Sequence, residues 1–378
     1  MQLATLLLFC ACWLHVRAQT VSTKYGDIEG LVTSYPNASG LFKSVSKFLG
    51  VPFAAPPTGE LRFKAPKPPK EWKPNVYSAK THGSVCSQSK LSEHFIKPLT
   101  SNFTFSEDCL YLDIYSPNIS LSLPVMVYIH GGGYVLGTAI TYPSDILALH
   151  GVLVVIIQYR LGPFGFLTTG DSAAPGNYGM LDQVEALKWV KENIENFGGN
   201  PSKVTIFGVS AGGSSVGLHL LSPLSRDLFH QAIPESGVDL SPFAIQSTSL
   251  GLRFTKELAQ KLNCGSSDHS AMVPCMRSKS ALDMQKASES IKFNFINYIS
   301  WAPVVDKNFL HDTPQVLRKK GEFKQAPLII TFTSHEGASF LGDMANNSFG
   351  LMENVDNEVS PTLFKSFLTK FAQAQDSR

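Results

Sequence analysis

The stretch that decides the fold is Val204-Thr205-Ile206-Phe207-Gly208-Val209-Ser210-Ala211-Gly212-Gly213. Residues 204–207 form an apolar, β-branched run of strand length, and an apolar helical pattern over residues 216–221 follows the glycines. A serine with glycines two positions before and after it, between a strand and a helix, predicts a tight turn that exposes Ser210 as a nucleophile. The alternative is a chance match in a glycine-rich turn, which the flanking strand and helix disfavour.

A second glycine-rich stretch, His130-Gly131-Gly132-Gly133, follows the apolar run Val125–Ile129. Glycines leave backbone N–H groups uncovered, and a loop of this kind donates hydrogen bonds to a developing oxyanion. Two donors from this loop, together with the N–H of Ala211, would form such a site. The alternative, a β-turn with no chemical role, is disfavoured by the combination with the serine turn.

Strand-length apolar runs alternate with helical patterns along the chain. Val125–Ile129 and residues 152–158 predict strands buried on both faces, and a helix with one apolar stripe begins near Tyr178 and ends at Gly198-Gly199. A later run, residues 327–331, predicts another buried strand. The alternation predicts an α/β fold with a central, mostly parallel sheet flanked by helices.

Glu336 is a candidate acid because of its position after the run 327–331. It would lie at the carboxyl end of a strand, where α/β sheets place functional groups. Taken alone, a glutamate at a strand end is more often a solvated loop residue. Its interest depends on the nucleophile and the glycine loop.

Composition limits the classes of partner. The chain has 378 residues, of which 43% are hydrophobic and 16% charged, so it can bury a large core and is not disordered. The formal net charge is +2 and no basic run is interleaved with aromatics, which excludes nucleic acid as an expected partner. No CxxC or His/Cys cluster indicates a metal site, and no cofactor is expected. We expect residues 19–378 to form a single domain.

Residues 1–18 predict a signal peptide that directs the chain to the secretory pathway. The apolar run Leu3–Val16 is too short to span a bilayer comfortably, and Val16-Arg17-Ala18 resembles a cleavage site. A membrane anchor is the disfavoured alternative, so a secreted protein without a membrane span is expected.

Cysteine and asparagine patterns agree with export. Four cysteines remain after the leader: Cys86, Cys109, Cys264 and Cys275. In an exported chain they favour two disulfides, and of three possible pairings the sequential one closes the shortest loops. Four glycosylation sequons begin at Asn37, Asn102, Asn118 and Asn346. Together they predict at least one glycan.

Several stretches together resemble the type-B carboxylesterases, the family that includes the cholinesterases and their non-catalytic relatives. The resemblance runs nearly from the mature N-terminus to Glu336 and implies the α/β-hydrolase fold and hydrolysis of carboxylic esters. The matching stretches are FLGVPFAAPP (48–57), SEDCLYLDIYSP (106–117), PVMVYIHGGGY (124–134), QYRLGPFGFL (158–167), the run from APGNYG to GVSAGGSS (174–215) and LFHQAI (228–233).

The resemblance implies a role for individual residues. Ser210 would be the nucleophile and Glu336 the triad acid. The oxyanion hole would be formed by three backbone N–H groups, those of Gly132, Gly133 and Ala211. The resemblance also pairs the cysteines, Cys86 with Cys109 and Cys264 with Cys275. Arg62 and Glu107 match a buried structural ion pair of the family and are expected to have no catalytic role.

Two departures from the family concern the substrate. The family usually has glutamate immediately before the nucleophile, where this chain has Val209. No tryptophan lies between Cys86 and Cys109, where cholinesterases keep an indole that binds quaternary ammonium through a cation–π contact. Both departures disfavour choline esters and predict a neutral, fairly apolar ester.

A further departure concerns the general base. The triad order in this fold is serine, acid, histidine, yet residues 337–378 contain no histidine. His130, His219 and His335 are poorly placed as substitutes. We therefore expect a chain that lacks the last part of the fold at its C-terminus, with an exposed sheet edge beside residues 327–331. This form is expected to be weakly active or inactive, because a serine without its base is a poor nucleophile.

Two other hypotheses remain open. The first is a non-catalytic, cholinesterase-like adhesion or binding protein, since such relatives keep the fold and lose triad members. The retention of Ser210, the glycine loop and Glu336 disfavours it. The second is a product that does not fold. The prediction we favour is a secreted serine carboxylesterase whose catalytic histidine is missing from this chain.

Overall fold

A computed structural model describes residues 17–336, apart from Leu99, Ser266 and residues 292–299. Strands and helices alternate through this part of the chain. The strands are β1 (Arg17–Thr23), β2 (Gly26–Ser34), β3 (Ser44–Pro52), β4 (Val76–Ser78), β5 (Val85–Cys86), β6 (Phe105–Ser106), β7 (Tyr111–Ser116), β8 (Leu123–Ile129), β9 (Leu153–Ile157), β10 (Gly199–Val209) and β11 (Gln231–Glu235). The helices are α1 (Glu93–Ile96), α2 (Asp145–Ala148), α3 (Gly162–Phe166), α4 (Tyr178–Asn193), α5 (Ala211–Leu221), α6 (Thr248–Lys261), α7 (His269–Ser278), α8 (Ala281–Glu289) and α9 (Pro314–Lys320).

One large mixed sheet organises the described residues. Its order is β1-β2-β3-β7-β9-β8-β10-β11, with β4 beside β2, and β5 and β6 pair separately. Pairing is antiparallel from β1 through β9 and parallel from β9 through β8 and β10 to β11. The predicted α/β architecture is therefore confirmed, but the sheet is mixed and not mostly parallel, because the strands from β1 to β9 in the sheet order pair antiparallel. The parallel half is the half that leads to Ser210.

The central strands are buried on both faces because helices cover them. All five residues of β9 are buried, and β8 ends in three buried residues. Helix α5 is buried along its whole length, so its apolar character is not confined to one stripe. The apolar runs 125–129 and 152–158 therefore lie in the core of the sheet, as predicted.

The predicted end of α4 is confirmed with one refinement. The α-helix ends at Asn193, and a 3₁₀ turn, Ile194–Phe197, continues it to Gly198. Gly198 has a φ of 85°, and a Cβ there would lie 2.2 Å from the carbonyl oxygen of Asn118. Glycine is therefore required both by conformation and by space.

The prediction of a buried strand over residues 327–331 is wrong. The segment forms two isolated parallel bridges with β11, and its side chains are exposed: 42% for Leu328, 58% for Ile329 and 54% for Ile330. Within the described part of the chain, no strand pairs with its other side. The apolar composition suits a strand whose side chains are covered. Burial, however, needs other elements packed against the faces of the sheet, and the composition of the segment cannot supply them. Among the described strands and bridges, residues 327–331 form the outer edge beside β11, and that edge is exposed, as expected.

The predicted signal peptide, residues 1–18, lies almost wholly outside the described residues. The described chain begins at Arg17, which with Ala18 belongs both to the predicted leader and to the start of β1. In the described residues, no helix is long and apolar enough to cross a membrane.

The exposed edge generates a prediction about self-association. Ile330→Lys is expected to reduce light scattering and aggregation at high protein concentration, because a charge on an uncovered edge strand opposes pairing between molecules. Leu41→Lys is the matched control, since Leu41 is 80% exposed but lies outside the sheet. Equal effects of the two substitutions would show that an added surface charge at any position reduces aggregation, so the edge would have no special role.

Candidate active site

Ser210 occupies the turn between β10 and α5 in an unusual backbone conformation. Its φ is 58° and its ψ −121°, in the left-handed half of conformational space that residues with a Cβ avoid. Two backbone hydrogen bonds hold the turn: the Ser210 N–H donates to the carbonyl of Glu235 at 2.8 Å, and the Ser214 N–H donates to the carbonyl of Ser210 at 2.9 Å. The strain therefore persists because the neighbouring strand end and the helix fix the turn on both sides.

The glycines of this turn are required by close packing against the end of β8. A Cβ on Gly208 would lie 2.4 Å from the carbonyl oxygen of Ile129, and a Cβ on Gly212 would lie 2.0 Å from the same atom. A Cβ on Gly213 would lie 2.6 Å from the carbonyl oxygen of Gly237. Larger residues would push α5 away from the sheet.

The structure brings the predicted glycine loop against this turn. A Cβ on Gly131 would lie 3.2 Å from the Cβ of Ser210, so the two backbones are in contact. Gly132 and Gly133 have φ values of 108° and 59°. The N–H groups of Val135 and Leu136 donate to the carbonyl of Gly132, at 3.1 and 3.0 Å, and close the loop on itself.

The candidate oxyanion donors are the backbone N–H groups of Gly132, Gly133 and Ala211. Within the described residues, no recorded hydrogen bond is donated by the backbone N–H of Gly132 or Gly133. Ala211 is the first residue of α5, so its N–H belongs to a helix end that has no intrahelical acceptor. The partial positive charge of that end also favours an anion. The arrangement suits stabilisation of a negative oxygen beside Ser210.

His130 supports the loop instead of titrating near neutral pH. Its ring is fully buried and stacks on Tyr159 at a centroid distance of 4.4 Å, and the Tyr159 hydroxyl donates to the His130 carbonyl at 2.8 Å. Burial lowers the pKa of His130 to about 4, so the imidazole is neutral. Its Nδ1 lies 2.9 Å from the carbonyl oxygen of Gly131.

The other two histidines considered from the sequence also have different partners. His219 is fully buried on α5, its Nε2 lies 2.9 Å from the Oε1 of Gln183, and burial lowers its pKa to about 3. His335 is exposed, and its Nδ1 lies 2.8 Å from the Ser334 hydroxyl. The hydrogen bonds of His82, His230 and His269 also go to groups other than Ser210.

Glu336 lies beside the strand that neighbours the nucleophile turn. The Ser236 hydroxyl, together with the N–H of Thr333 (2.6 Å from Oε1), lowers the pKa of the Glu336 carboxyl. Ser236 directly follows β11, and its N–H donates to the carbonyl of Thr331 at 2.8 Å. The preceding carbonyl, that of Glu235, is the one that accepts from Ser210. Glutamate and serine thus lie at the ends of adjacent chain segments.

Sequence reasoning missed Ser236. The signal available was the tripeptide Glu235-Ser236-Gly237 at the end of a short apolar strand, after the helix that follows the nucleophile. Ser236 has a φ of 49°, and a Cβ on Gly237 would lie 2.2 Å from the Ser210 carbonyl oxygen. This turn therefore joins the nucleophile to the candidate acid.

Both predicted disulfides are confirmed. Cys86 and Cys109 are bridged with Cα atoms 4.9 Å apart, and Cys264 and Cys275 with Cα atoms 5.5 Å apart. The predicted ion pair of Arg62 is also formed. Its Nε donates to a carboxylate oxygen of Glu107 at 2.6 Å, and its Nη1 donates to the carbonyl of Arg277 at 2.9 Å, which ties this region to α7.

Three of the four predicted glycosylation sites lie in the described part of the chain and are at least partly exposed. Asn37 and Asn102 are exposed, Asn118 is partly exposed, and Asn346 lies outside the described residues. Their glycosylation stays a prediction. Among the described side chains, no group of three or more histidine, cysteine, aspartate or glutamate residues is arranged to hold a metal ion.

A sequence model of the carboxylesterase family matches residues 17–377. The chain belongs to the carboxylesterase family. This assignment agrees with the mixed sheet, the glycine-bounded serine turn and the glycine loop, and it makes the architecture an α/β-hydrolase fold.

Individual members of the family show how much of the chain is shared. It is 40% identical over 350 residues to liver carboxylesterase 1 of Oryctolagus cuniculus, covering 86% of this chain and 60% of that protein. The chain is 44% identical over 340 residues to pyrethroid hydrolase Ces2e of Rattus norvegicus, and the match covers 88% of this chain and 58% of that protein. The chain is 41% identical over 357 residues to cocaine esterase of Homo sapiens, and the match covers 92% of this chain and 61% of that protein. The match therefore spans about 60% of the length of these relatives.

The packing of Gly212 can be tested by its effect on stability. Gly212→Ala is expected to lower the free energy of unfolding by at least about 2 kcal/mol, since the added methyl group would overlap the Ile129 carbonyl. Gly59→Ala is the control: Gly59 has a φ of 54° but nothing within 4 Å of its Cβ position, so only the conformational cost of about 1 kcal/mol should appear. Denaturant unfolding measures both, and an equal loss in the two variants would contradict the packing argument.

Proposed function

We propose that this protein is a serine carboxylesterase of the secretory pathway that hydrolyses carboxylic esters through acyl transfer. The observation that carries the proposal is the contact between the strained Ser210 turn and the Gly131–Gly133 loop. In this proposal the Ser210 hydroxyl and the backbone N–H groups of the loop act on the same ester carbonyl group. Residues 1–18 as a leader, residues 19–378 as one domain, and glycans on the surface sequons are parts of the same proposal, supported by two disulfides.

Each group has a proposed role in the reaction. Ser210 attacks the ester carbonyl, and the N–H groups of Gly132, Gly133 and Ala211 stabilise the oxyanion. The alcohol then leaves, and water releases the acid from the acyl-serine. Glu336 is the acid that would orient and stabilise a protonated histidine. A glutamate is ionised at neutral pH, as this role requires, and the Ser236 hydroxyl and the Thr333 N–H lower the pKa of Glu336 further.

We further propose that the general base is not supplied by this chain. His130 and His219 are buried, neutral and paired with other groups, and His335 faces Ser334. Without a base, Ser210 relies on the oxyanion donors and on substrate binding. Loss of a triad member typically leaves about 10³–10⁴-fold acceleration over water. Turnover by this chain alone is therefore expected to be slow.

The test is hydrolysis of a short-chain nitrophenyl ester with and without added imidazole, a small base that can substitute for the absent side chain. The secreted chain is expected to show weak turnover that imidazole raises, because imidazole can take the proton from Ser210. Ser210→Ala is the control. Its rate measures the direct reaction of imidazole with the ester, and this rate is subtracted from that of the unmodified chain. Identical rates of the two proteins under both conditions would overturn the proposed esterase function.

A second function is favoured by one specific observation: the hydrogen bonds of His130, His219 and His335 go to groups other than Ser210 and Glu336. The alternative is a non-catalytic, cholinesterase-like adhesion or binding protein. The proposed oxyanion donors, the N–H groups of Gly132, Gly133 and Ala211, argue against this alternative, because adhesion does not require them. The imidazole experiment separates the two, because a binding protein would show no serine-dependent rate.

We propose a neutral, apolar ester as substrate. Val209 precedes the nucleophile without adding negative charge, and it packs beside Tyr128 and Phe207 in an apolar cluster. The segment between Cys86 and Cys109 contains no tryptophan to bind a quaternary ammonium group.

Substrate preference provides a further prediction. In the presence of imidazole, a neutral butyrate ester is expected to be hydrolysed faster than the matching choline ester. Val209→Glu should shift the ratio towards the choline ester, because it places an anion beside the acyl site. Val209→Leu is the matched control and should leave the ratio unchanged. Preferential hydrolysis of the choline ester by the unmodified chain would contradict the proposal.

A further inference from the structure

Gln88 is a buried amide with well-defined partners. It lies two residues after Cys86 and is 3% exposed. Its Oε1 accepts from the N–H of Gly137 at 2.8 Å, and its Nε2 donates to the carbonyl of Gly137 at 2.8 Å and to the carbonyl of Cys86 at 3.0 Å. One side chain therefore binds both backbone groups of Gly137, much as a neighbouring strand would.

Gly137 lies at the point where the glycine loop returns to its own start. Its φ is 122°, and a Cβ there would lie 2.4 Å from Nδ1 of His130 and 2.5 Å from the carbonyl oxygen of Gly131. Residues 131 and 137 are thus in direct contact. A Cβ on Gly131 would in turn lie 2.5 Å from the carbonyl oxygen of Val209 and 3.2 Å from the Cβ of Ser210, so the loop packs closely against the Ser210 turn. A displacement of Gly137 would be transmitted to the donors of Gly132 and Gly133.

The other end of the contact is fixed by a disulfide. Cys86 is buried at the end of β5, and its bridge to the buried Cys109 restrains the segment that carries Gln88. Gln158 makes a second connection nearby: its Nε2 donates to the Ser84 carbonyl at 2.7 Å, and its Oε1 accepts from the Thr138 hydroxyl at 3.1 Å. Gln158 contacts only the side chain of Thr138, just after the loop, whereas Gln88 binds the backbone of Gly137.

We propose that Gln88 is a positioning residue, which holds the loop of residues 131–137 against Ser210 and couples its geometry to the Cys86–Cys109 disulfide. It touches no reacting atom and acts only through Gly137. The consequence for hydrolysis rests on the proposed esterase function. The positioning of the loop itself does not, so the two can be tested separately.

The first test is amide hydrogen exchange of the full chain. Gln88→Leu removes both contacts with Gly137 and is expected to make exchange of the 131–138 segment about tenfold faster, as loss of buried backbone hydrogen bonds predicts. Peptides from β1 and β2 should be unchanged. Gln246→Leu is the matched control: this glutamine is also buried, but its Nε2 donates to the Ala302 carbonyl at 3.3 Å and not to a backbone group of the 131–138 segment. Unchanged exchange of 131–138 in Gln88→Leu would overturn the proposal.

A second variant distinguishes positioning from simple filling of space. In Gln88→Glu, a protonated carboxyl can accept from the Gly137 N–H and donate to the Gly137 carbonyl, whereas the ionised form faces two carbonyl oxygens without a proton to donate. Exchange of 131–138, relative to the unmodified chain at the same pH, should therefore approach normal as the pH falls from about 8 to about 5. Gln88→Leu cannot titrate, so its ratio should stay constant. A pH-independent ratio in a folded Gln88→Glu protein would count against the proposal.

The third readout is kinetic. In the imidazole-assisted assay, Gln88→Leu is expected to lower kcat about tenfold or more with a smaller change in KM, because oxyanion donors act mainly in the transition state. Equal kcat for Gln88→Leu and the unmodified chain would show that the loop needs no such support. If the unmodified chain shows no Ser210-dependent turnover, the esterase proposal fails, and the exchange measurements still decide whether Gln88 positions the loop.

Discussion

The candidate site depends on the close approach of the carbonyl end of β8 to the turn between β10 and α5. The Ile129 carbonyl lies where side chains on Gly208 or Gly212 would be, so the backbones meet without intervening atoms. This contact seats α5, which is buried along its whole length, and it fixes the strained backbone of Ser210. A strained residue persists only where its surroundings over-determine it, and here two hydrogen bonds and glycine packing do so.

Support for the site is uneven across the sheet. The nucleophile turn and the glycine loop lie among buried strands, and their geometry is set mainly by backbone contacts. Glu336 lies beyond residues 327–331, which bridge β11 at two positions and expose their apolar side chains. The carboxylate depends on Ser236 and Thr333 for its local contacts. The candidate acid is therefore held by fewer described neighbours than the nucleophile.

Buried polar groups around the site stabilise backbone geometry more than they supply proton transfer. His130 stacks on Tyr159 beneath the glycine loop, and His219 pairs with Gln183 behind α5, each neutral because burial disfavours the charged form. The Arg62–Glu107 pair ties the disulfide-bounded segment to α7. These contacts hold the backbone around the proposed oxyanion site in one arrangement and leave both buried histidines neutral.

The sequence by itself determined the α/β class, the serine turn, the glycine loop and the pairing of the disulfides through family resemblance. These features depend on local chemistry: glycine spacing around Ser210, β-branched runs and helix stops are visible in the order of residues. Only the tertiary structure decided that residues 327–331 are exposed, that Ser236 contacts Glu336, and that Gln88 binds Gly137. Burial and long-range hydrogen bonds depend on which distant segments become neighbours, and a strand-like pattern is the same whether or not a neighbour covers it.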